Sequence, residues 1–267
     1  MSAPPSPLGR PRLHLRRTDS TNERARGLAL GGAPHGTLVT AEEQTAGRGR
    51  QGRRWVAPPG SSLLMSLVLR PPGTEPMPPA LSLLAGVAVC DVAGAGARVK
   101  WPNDVVREGP GGPAKLGGIL VEGRPREGWA VLGIGLNVAV DLGELPAELR
   151  GTAATLGRPR GEIEPTLTAL LGALQRRLRE PVGEVLDAWR ARDALRGREI
   201  RWAGGAGALA GREAEDRPGS ARGERHGVAE GIDGEGRLIV ALPGGGRTAL
   251  DAGEVHLAGT QVYSFGG

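Results

Sequence analysis

TAEEQTAGRGRQGRRW, residues 40–55, is followed at once by a short loop, 56–60, and an apolar run, 63–69. Glycine at 47, 49 and 52 alternates with Arg48, Arg50, Arg53 and Arg54. Glycine lacks the Cβ that keeps a ligand away from the backbone, and arginine offers paired donors matched to carboxylate and phosphate oxygens. The stretch therefore suits an anionic ligand, although RGR runs also occur in nucleic-acid-binding tails and on solvated surfaces. Thr37 to Glu42 reads as a strand entering this loop and Ser61 to Arg70 as the strand leaving it.

Upstream, a Pro-rich tail over residues 1–12 leads to a strand at 13–17 and then to TDSTNE, residues 18–23. This run combines N-cap candidates with an acidic first turn for a helix reaching Leu30. A helix cap explains it; so does a polar, uncharged ligand head held by Ser20, Thr21 and Asn22. Downstream, 78–92 is an apolar helix carrying the one cysteine, Cys90, which reads as a core thiol.

RVKWPNDVV (98–106) reads as strand, Pro102 turn and strand, followed by AKLGGILVE (114–122) and WAVLGIGLNV (129–138), two strands with glycines where a backbone or ligand comes close. GIGLN is not a dinucleotide fingerprint, because no third glycine opens a helix after it. Helical periodicity returns over 164–195. From Gly197 the texture changes to short strands at 198–202, 206–209, 226–232, 237–242, 247–250 and 254–257, separated by Gly and Asp-Gly turns, which reads as a small barrel-like β module. A charged segment at 211–223 reads as a mobile loop within it.

The chain has 267 residues and a net charge of +5, yet of its 34 basic residues only Lys100 and Lys115 are lysine. Asparagine occurs only at Asn22, Asn103 and Asn137. Lys, Asn, Ile, Phe and Tyr are all scarce, so a compositional drift explains much of the high pI, and the exceptions mark positions that need an ammonium or a carboxamide. No apolar run is long enough for a membrane span and the N-terminus lacks a signal-peptide pattern, so a cytoplasmic protein is expected. His14, His35, His226 and His256 share no metal-ligand spacing.

TDSTN, EEQTAGRGRQGRRW, VKWPNDVV, KLGGILVE and GIGLN, in this order, resemble the biotin–protein ligases over residues 13–257. The resemblance implies an α/β (α+β) catalytic domain, class II synthetase-like, over 13–196 and a small SH3-like β-barrel module over 197–258, with tails at 1–12 and 259–267. It implies biotin activation by ATP and Mg²⁺ to biotinyl-5′-AMP, then transfer to a lysine of a biotin carboxyl-carrier protein. By the same resemblance, Arg48, Arg50 and Lys115 contact the biotin carboxyl and the phosphate, and Arg53 is a further basic position of the loop. Trp55 lies beside the adenine. Ser20, Thr21, Asn22 and Gln44 hold the ureido head, while Gly49, Gly117 and Gly118 let backbone approach biotin. Asn103 and Asn137 face the nucleotide, and Asp104 is a candidate for Mg²⁺ or for orienting the acceptor lysine. The short segment before the first strand leads to the expectation of no DNA-binding domain, no DNA or membrane partner, and a monomer or weak homodimer. A lipoate–protein ligase shares the adenylation logic, and a non-enzymatic nucleic-acid binder would need stacking aromatics among the charges. The β module offers Trp202, with Tyr263 and Phe265 beyond it in the tail.

Overall fold

The structure, a computed structural model, describes residues 7–70, 80–109, 111–124, 128–202, 225–251 and 255–257. The expected strand at 206–209, the segment 211–223, the tail 259–267 and residues 1–6 lie outside the described residues. A seven-stranded sheet runs in the order β1 (Arg12–Thr18), β2 (Leu38–Gln44), β3 (Ser62–Leu69), β7 (Trp129–Asn137), β6 (Gly112–Arg124), β5 (Asp104–Gly109), β4 (Ala97–Lys100). Only the β1–β2 pair is parallel, so the sheet is mixed.

Strand β7 shows why the sheet has two different faces, because alternate residues point to opposite sides. Leu132, Ile134 and Leu136 enter the main core with α2 (Leu81–Ala93) and α4 (Ile163–Arg177). Trp129 and Val131 lie on the other side, packed with Ala25 and Ala29 of α1 (Thr21–Leu30) and with Val39 and Val68. Beyond α1 the same face continues as Gly133, Gly135 and Asn137, where side chains are small or polar. The GxGxN motif is thus a strand pattern, with one face stripped for contact.

The periodicity over 164–195 resolves into two helices, α4 and α5 (Val182–Arg190), with a short α3 (Ala147–Arg150) before them. Pro181 occupies the N-cap of α5, and its missing N–H and fixed φ end the continuous helix. Residues after α5 leave helical geometry to bond β4: Val99 N–H donates to Arg192 O and Ala194 N–H to Val99 O, both at 2.9 Å. Asp91 on α2 accepts from Arg177 at 2.9 and 3.1 Å and from Arg192 at 3.0 Å, fastening α2, α4 and this segment together. Beside it, burial pushes the Cys90 thiol up to about 12.

A second, antiparallel sheet has the order β11 (Arg247–Leu250), β10 (Leu238–Ala241), β9 (Arg225–Ile232), β8 (Glu199–Trp202), β12 (Val255–Leu257). Its inner residues Ile200, Ile232, Leu238 and Val240 join the same buried cluster as Leu83, Leu186 and Trp189. Trp101 Nε1–H donates to Gly236 O at 3.0 Å across the junction. The two sheets therefore share one core.

Candidate active site

The site forms on the stripped face of the large sheet, beside α1. A Cβ on Gly133 would stand 2.0 Å from Asn22 Oδ1, and one on Gly135 would stand 2.6 Å from Cε2 of Trp55. A Cβ on Gly118 would lie 3.2 Å from Trp55 and 3.3 Å from Cε of Lys115. Three glycines on adjacent strands are thus a floor on which Asn22, Trp55 and Lys115 rest. Gly117 differs, since its missing Cβ is needed by the carbonyl of Gly135 at 3.0 Å.

The loop 47–55 closes on itself as a narrow hairpin. Trp55 N–H donates to Gly47 O at 3.0 Å and Gly49 N–H to Arg53 O at 2.7 Å, around a 3₁₀ turn at Arg50–Gly52. Gln51 carries a positive φ of 54° at the tip. A Cβ on Gly47 would meet Trp55 O at 2.6 Å and one on Gly49 would meet Arg53 O at 3.2 Å, so these glycines serve the hairpin's own closure.

At the start of α1, Ser20 takes the N-cap position but its side chain makes no capping bond. Gln44 Oε1 does that work, accepting from the Thr21 N–H at 2.7 Å and the Thr21 hydroxyl at 3.0 Å. Ser66 Oγ lies 2.6 Å from Asn22 Oδ1 and 2.9 Å from Thr21 Oγ1. Asn22 Nδ2 donates to Glu122 Oε2 at 2.8 Å. Ser20, Thr21 and Asn22 are all buried, at 3%, 4% and 4% exposure, and with Gln44 and Ser66 they form a polar cluster on this sheet face.

The cationic part lies further along the floor. Lys115 Nζ is 2.7 Å from Asp104 Oδ1 and 5.9 Å from the centroid of the Trp55 ring. The two side chains share a face because the β5–β6 register shifts: Val105 pairs with Gly117 and Val106 with Lys115, so Leu116 has no partner on β5. Burial raises the Asp104 carboxyl, but the charges of Lys115 and Lys100, the Lys115 hydrogen bond and Arg53 outweigh it and hold the group below the usual carboxylate range. Arg50 Nη1 donates to Asn103 Oδ1 at 3.2 Å, and Asn103 Nδ2 donates to Ile119 O at 2.9 Å.

Three of the expected site residues are held by protein partners in this arrangement. The Arg48 guanidinium is held by two carboxylates, Glu23 Oε2 at 3.1 Å and Glu122 Oε1 at 3.2 Å. Asn137 is 6% exposed and spends its amide on the protein, accepting from the Ser62 hydroxyl and donating to Ala154 O. Asp104 is paired with an ammonium and flanked by further cations, a donor set that does not fit Mg²⁺, which prefers several oxygen ligands. Among the described residues no cluster of three or more His, Cys, Asp or Glu side chains could hold a metal.

Ser66, Glu122 and Glu23 are the site residues that sequence reasoning missed. Ser66 had a signal: a polar residue on the same strand parity as Ser62, inside a run buried throughout. The partners of Arg48 had none, since they lie 25 and 74 positions away in the chain.

Comparison with known proteins agrees with this geometry. The Biotin/lipoate A/B protein ligase family profile matches residues 14–139, and that of the Biotin protein ligase C terminal domain matches 221–257. A bifunctional ligase/repressor BirA of Bacillus subtilis is 41% identical over 150 residues, which is 54% of this chain but only 45% of that protein. A biotin–[acetyl-CoA-carboxylase] ligase of Paracoccus denitrificans is 36% identical over 92% of this chain and 100% of its own length. Among solved structures, the biotin protein ligase of Aquifex aeolicus in complex with biotin and ATP superposes with a TM-score of 0.72 at 26% identity, covering 93% of this chain and 98% of that one. With the motifs, the mixed sheet and a full-length relative all in agreement, the chain belongs to the biotin protein ligase family.

Proposed function

We propose that this protein joins biotin to ATP as biotinyl-5′-AMP, releasing pyrophosphate, and transfers the biotinyl group to a lysine of a biotin carboxyl-carrier protein serving a biotin-dependent carboxylase. The observation that carries this reading is the continuity of one sheet face, where the polar cluster over Gly133 adjoins the Trp55 and Lys115 cluster over Gly135 and Gly118. The neutral ureido head fits the polar cluster, whose Ser20 hydroxyl and Gln44 carboxamide offer a donor and acceptor set. The adenine lies against Trp55.

In the first step a biotin carboxylate oxygen bonds to the α-phosphorus as the bond to the β-phosphate oxygen breaks. Two unit negative charges 4 Å apart repel by about 4 kcal/mol at an effective dielectric near 20. Lys115 and Arg50, with Lys100 and Arg53 nearby, supply the opposing charge, and Arg48 anchors the loop. In the second step the lysine amine attacks the acyl carbon, AMP leaves, and the amine loses a proton. Asp104, kept ionised by its cationic neighbours, holds Lys115 in place.

By this reading residues 13–196 carry the chemistry and 197–258 form an SH3-like module that completes the nucleotide or carrier contacts. The protein acts in the cytoplasm, where ATP and the carrier are found, as a monomer or weak homodimer without DNA. No helix among the described residues is long and apolar enough to cross a membrane. The test is mass spectrometry of an apo carrier domain incubated with protein, ATP and biotin, with lipoate and its carrier as the competing arm. A biotinyl mass increment on one lysine is expected; no increment, or preference for lipoate, would overturn the reading.

A further inference from the structure

We propose that Glu122 is the positioning residue that orients the Asn22–Ser66 side of the biotin site and ties the arginine loop to it. This assignment rests on the ligase reading above and deepens it. Glu122 lies on β6 opposite Val131, at the edge of α1. One oxygen, Oε2, accepts from Asn22 Nδ2 at 2.8 Å; the other, Oε1, is 3.2 Å from Arg48 Nη2. One carboxylate thus touches the polar cluster and the loop together.

The consequence follows from what each group can do. A carboxylate only accepts, so the Asn22 amide presents its NH₂ to Glu122 and its oxygen to Ser66. Ser66 has one hydroxyl proton, which goes to Asn22 Oδ1 at 2.6 Å. The Thr21 proton goes to Gln44 Oε1 at 3.0 Å, which leaves the Gln44 NH₂ group as a donor. The Asn22 carboxamide thus gives an amide proton to Glu122 and takes the Ser66 proton on one lone pair of its oxygen, which leaves the second lone pair of Oδ1 for a ligand donor. Its orientation, imposed by Glu122, directs the Ser66 proton to Asn22 Oδ1, while the Thr21 N–H independently fixes the Gln44 oxygen as an acceptor. Arg48, shared by Glu122 on β6 and Glu23 on α1, holds the hairpin against both elements.

The test uses full-length protein and three variants. Glu122→Gln keeps the shape but brings its own NH₂ group, so it cannot accept from both Asn22 and Arg48. Biotin affinity measured without ATP is expected to weaken about tenfold, as loss of a charge-assisted hydrogen bond implies, with the KM for ATP and the melting temperature little changed. Glu122→Ala is expected to weaken biotin binding further. The double variant Asn22→Asp with Glu122→Gln restores an acceptor and donor pair with the same Ser66 orientation, and it is expected to recover most of the affinity lost by the single variant. Parental affinity in Glu122→Gln, a loss matched by a drop in melting temperature, or a double variant no better than the single one would each overturn the assignment. Adenylate formation by the parent is measured alongside, so a parent inactive with biotin would sink the ligase reading instead.

Discussion

Lys115 Nζ and Asp104 Oδ1 stand 2.7 Å apart across neighbouring strands, with the Lys115 side chain 38% exposed and that of Asp104 17% exposed. The ammonium is thus placed but still open to an anion, which is what stabilising charge on a transferring phosphoryl group requires. Lys115→Ala is expected to slow adenylate formation by about 10² to 10³ while leaving the fold intact. Pyrophosphate release beside a circular dichroism spectrum checks both halves, and a folded variant with near-parental release would remove Lys115 from the chemistry.

The same pair predicts an acid response. Because the folded state holds Asp104 below its ordinary pKa of 3.8, the unfolded chain binds more protons as pH drops below that value. The contribution is complete above about pH 4 and is lost as pH falls through the depressed folded value. Asp104→Asn is therefore expected to lower stability at neutral pH by about 1–2 kcal/mol, the half-exposed Lys115 making this less than a fully buried pair would cost. Denaturant melts from pH 3 to 7 should show the gap between parent and variant closing only at the acid end. A gap unchanged across the range would contradict the assignment.

Two glycine variants of equal size should fail in different ways. In Gly133→Ala the new methyl meets Asn22 Oδ1, and in Gly135→Ala it meets the Trp55 indole. Overpacking of this kind costs about 1–3 kcal/mol. Gly133→Ala is expected to weaken binding of biotin alone, and Gly135→Ala to raise the KM for ATP with a smaller effect on biotin. Identical profiles for the two would mean that the face is not divided between head and nucleotide as argued.

Trp101 provides a narrow test of the shared core. Trp101→Phe keeps an aromatic ring but removes the donor to Gly236 O, a change worth about 1 kcal/mol. For a protein of this size the melting temperature should fall by about 2–4 °C. The fragment 1–196 loses Ile232, Leu238 and Val240 from the common cluster and is expected to aggregate rather than fold. A soluble, cooperatively melting 1–196 would show that the catalytic part needs none of the second sheet.

What was legible in the sequence is what a periodic pattern or a rare residue carries. The apolar run with glycines at 133 and 135 marked the strand β7, and the rarity of lysine pointed to Lys115. The change of texture at Gly197 matched the start of the second sheet at Glu199. Pairings between distant positions were not legible: nothing local announces that Glu23 and Glu122 stand beside Arg48. Helical periodicity over 164–195 marks the helical region but not the break at Pro181 that divides it into α4 and α5, because the apolar spacing continues across it. The junction at Trp101 and Gly236 depends on tertiary packing that no local pattern announces.

The skipped pairing at Leu116 has an arithmetical side. Counted straight from Asp104 opposite Gly118, position 115 would fall opposite Arg107 and on the reverse of the sheet, toward the helices; the one supernumerary residue changes odd to even and turns the ammonium toward Asp104. Leu116 can afford to be an ordinary buried apolar residue, fully covered in the core, because its contribution is to be counted. At this point in the chain the chemistry is written in the number of residues more than in their kinds.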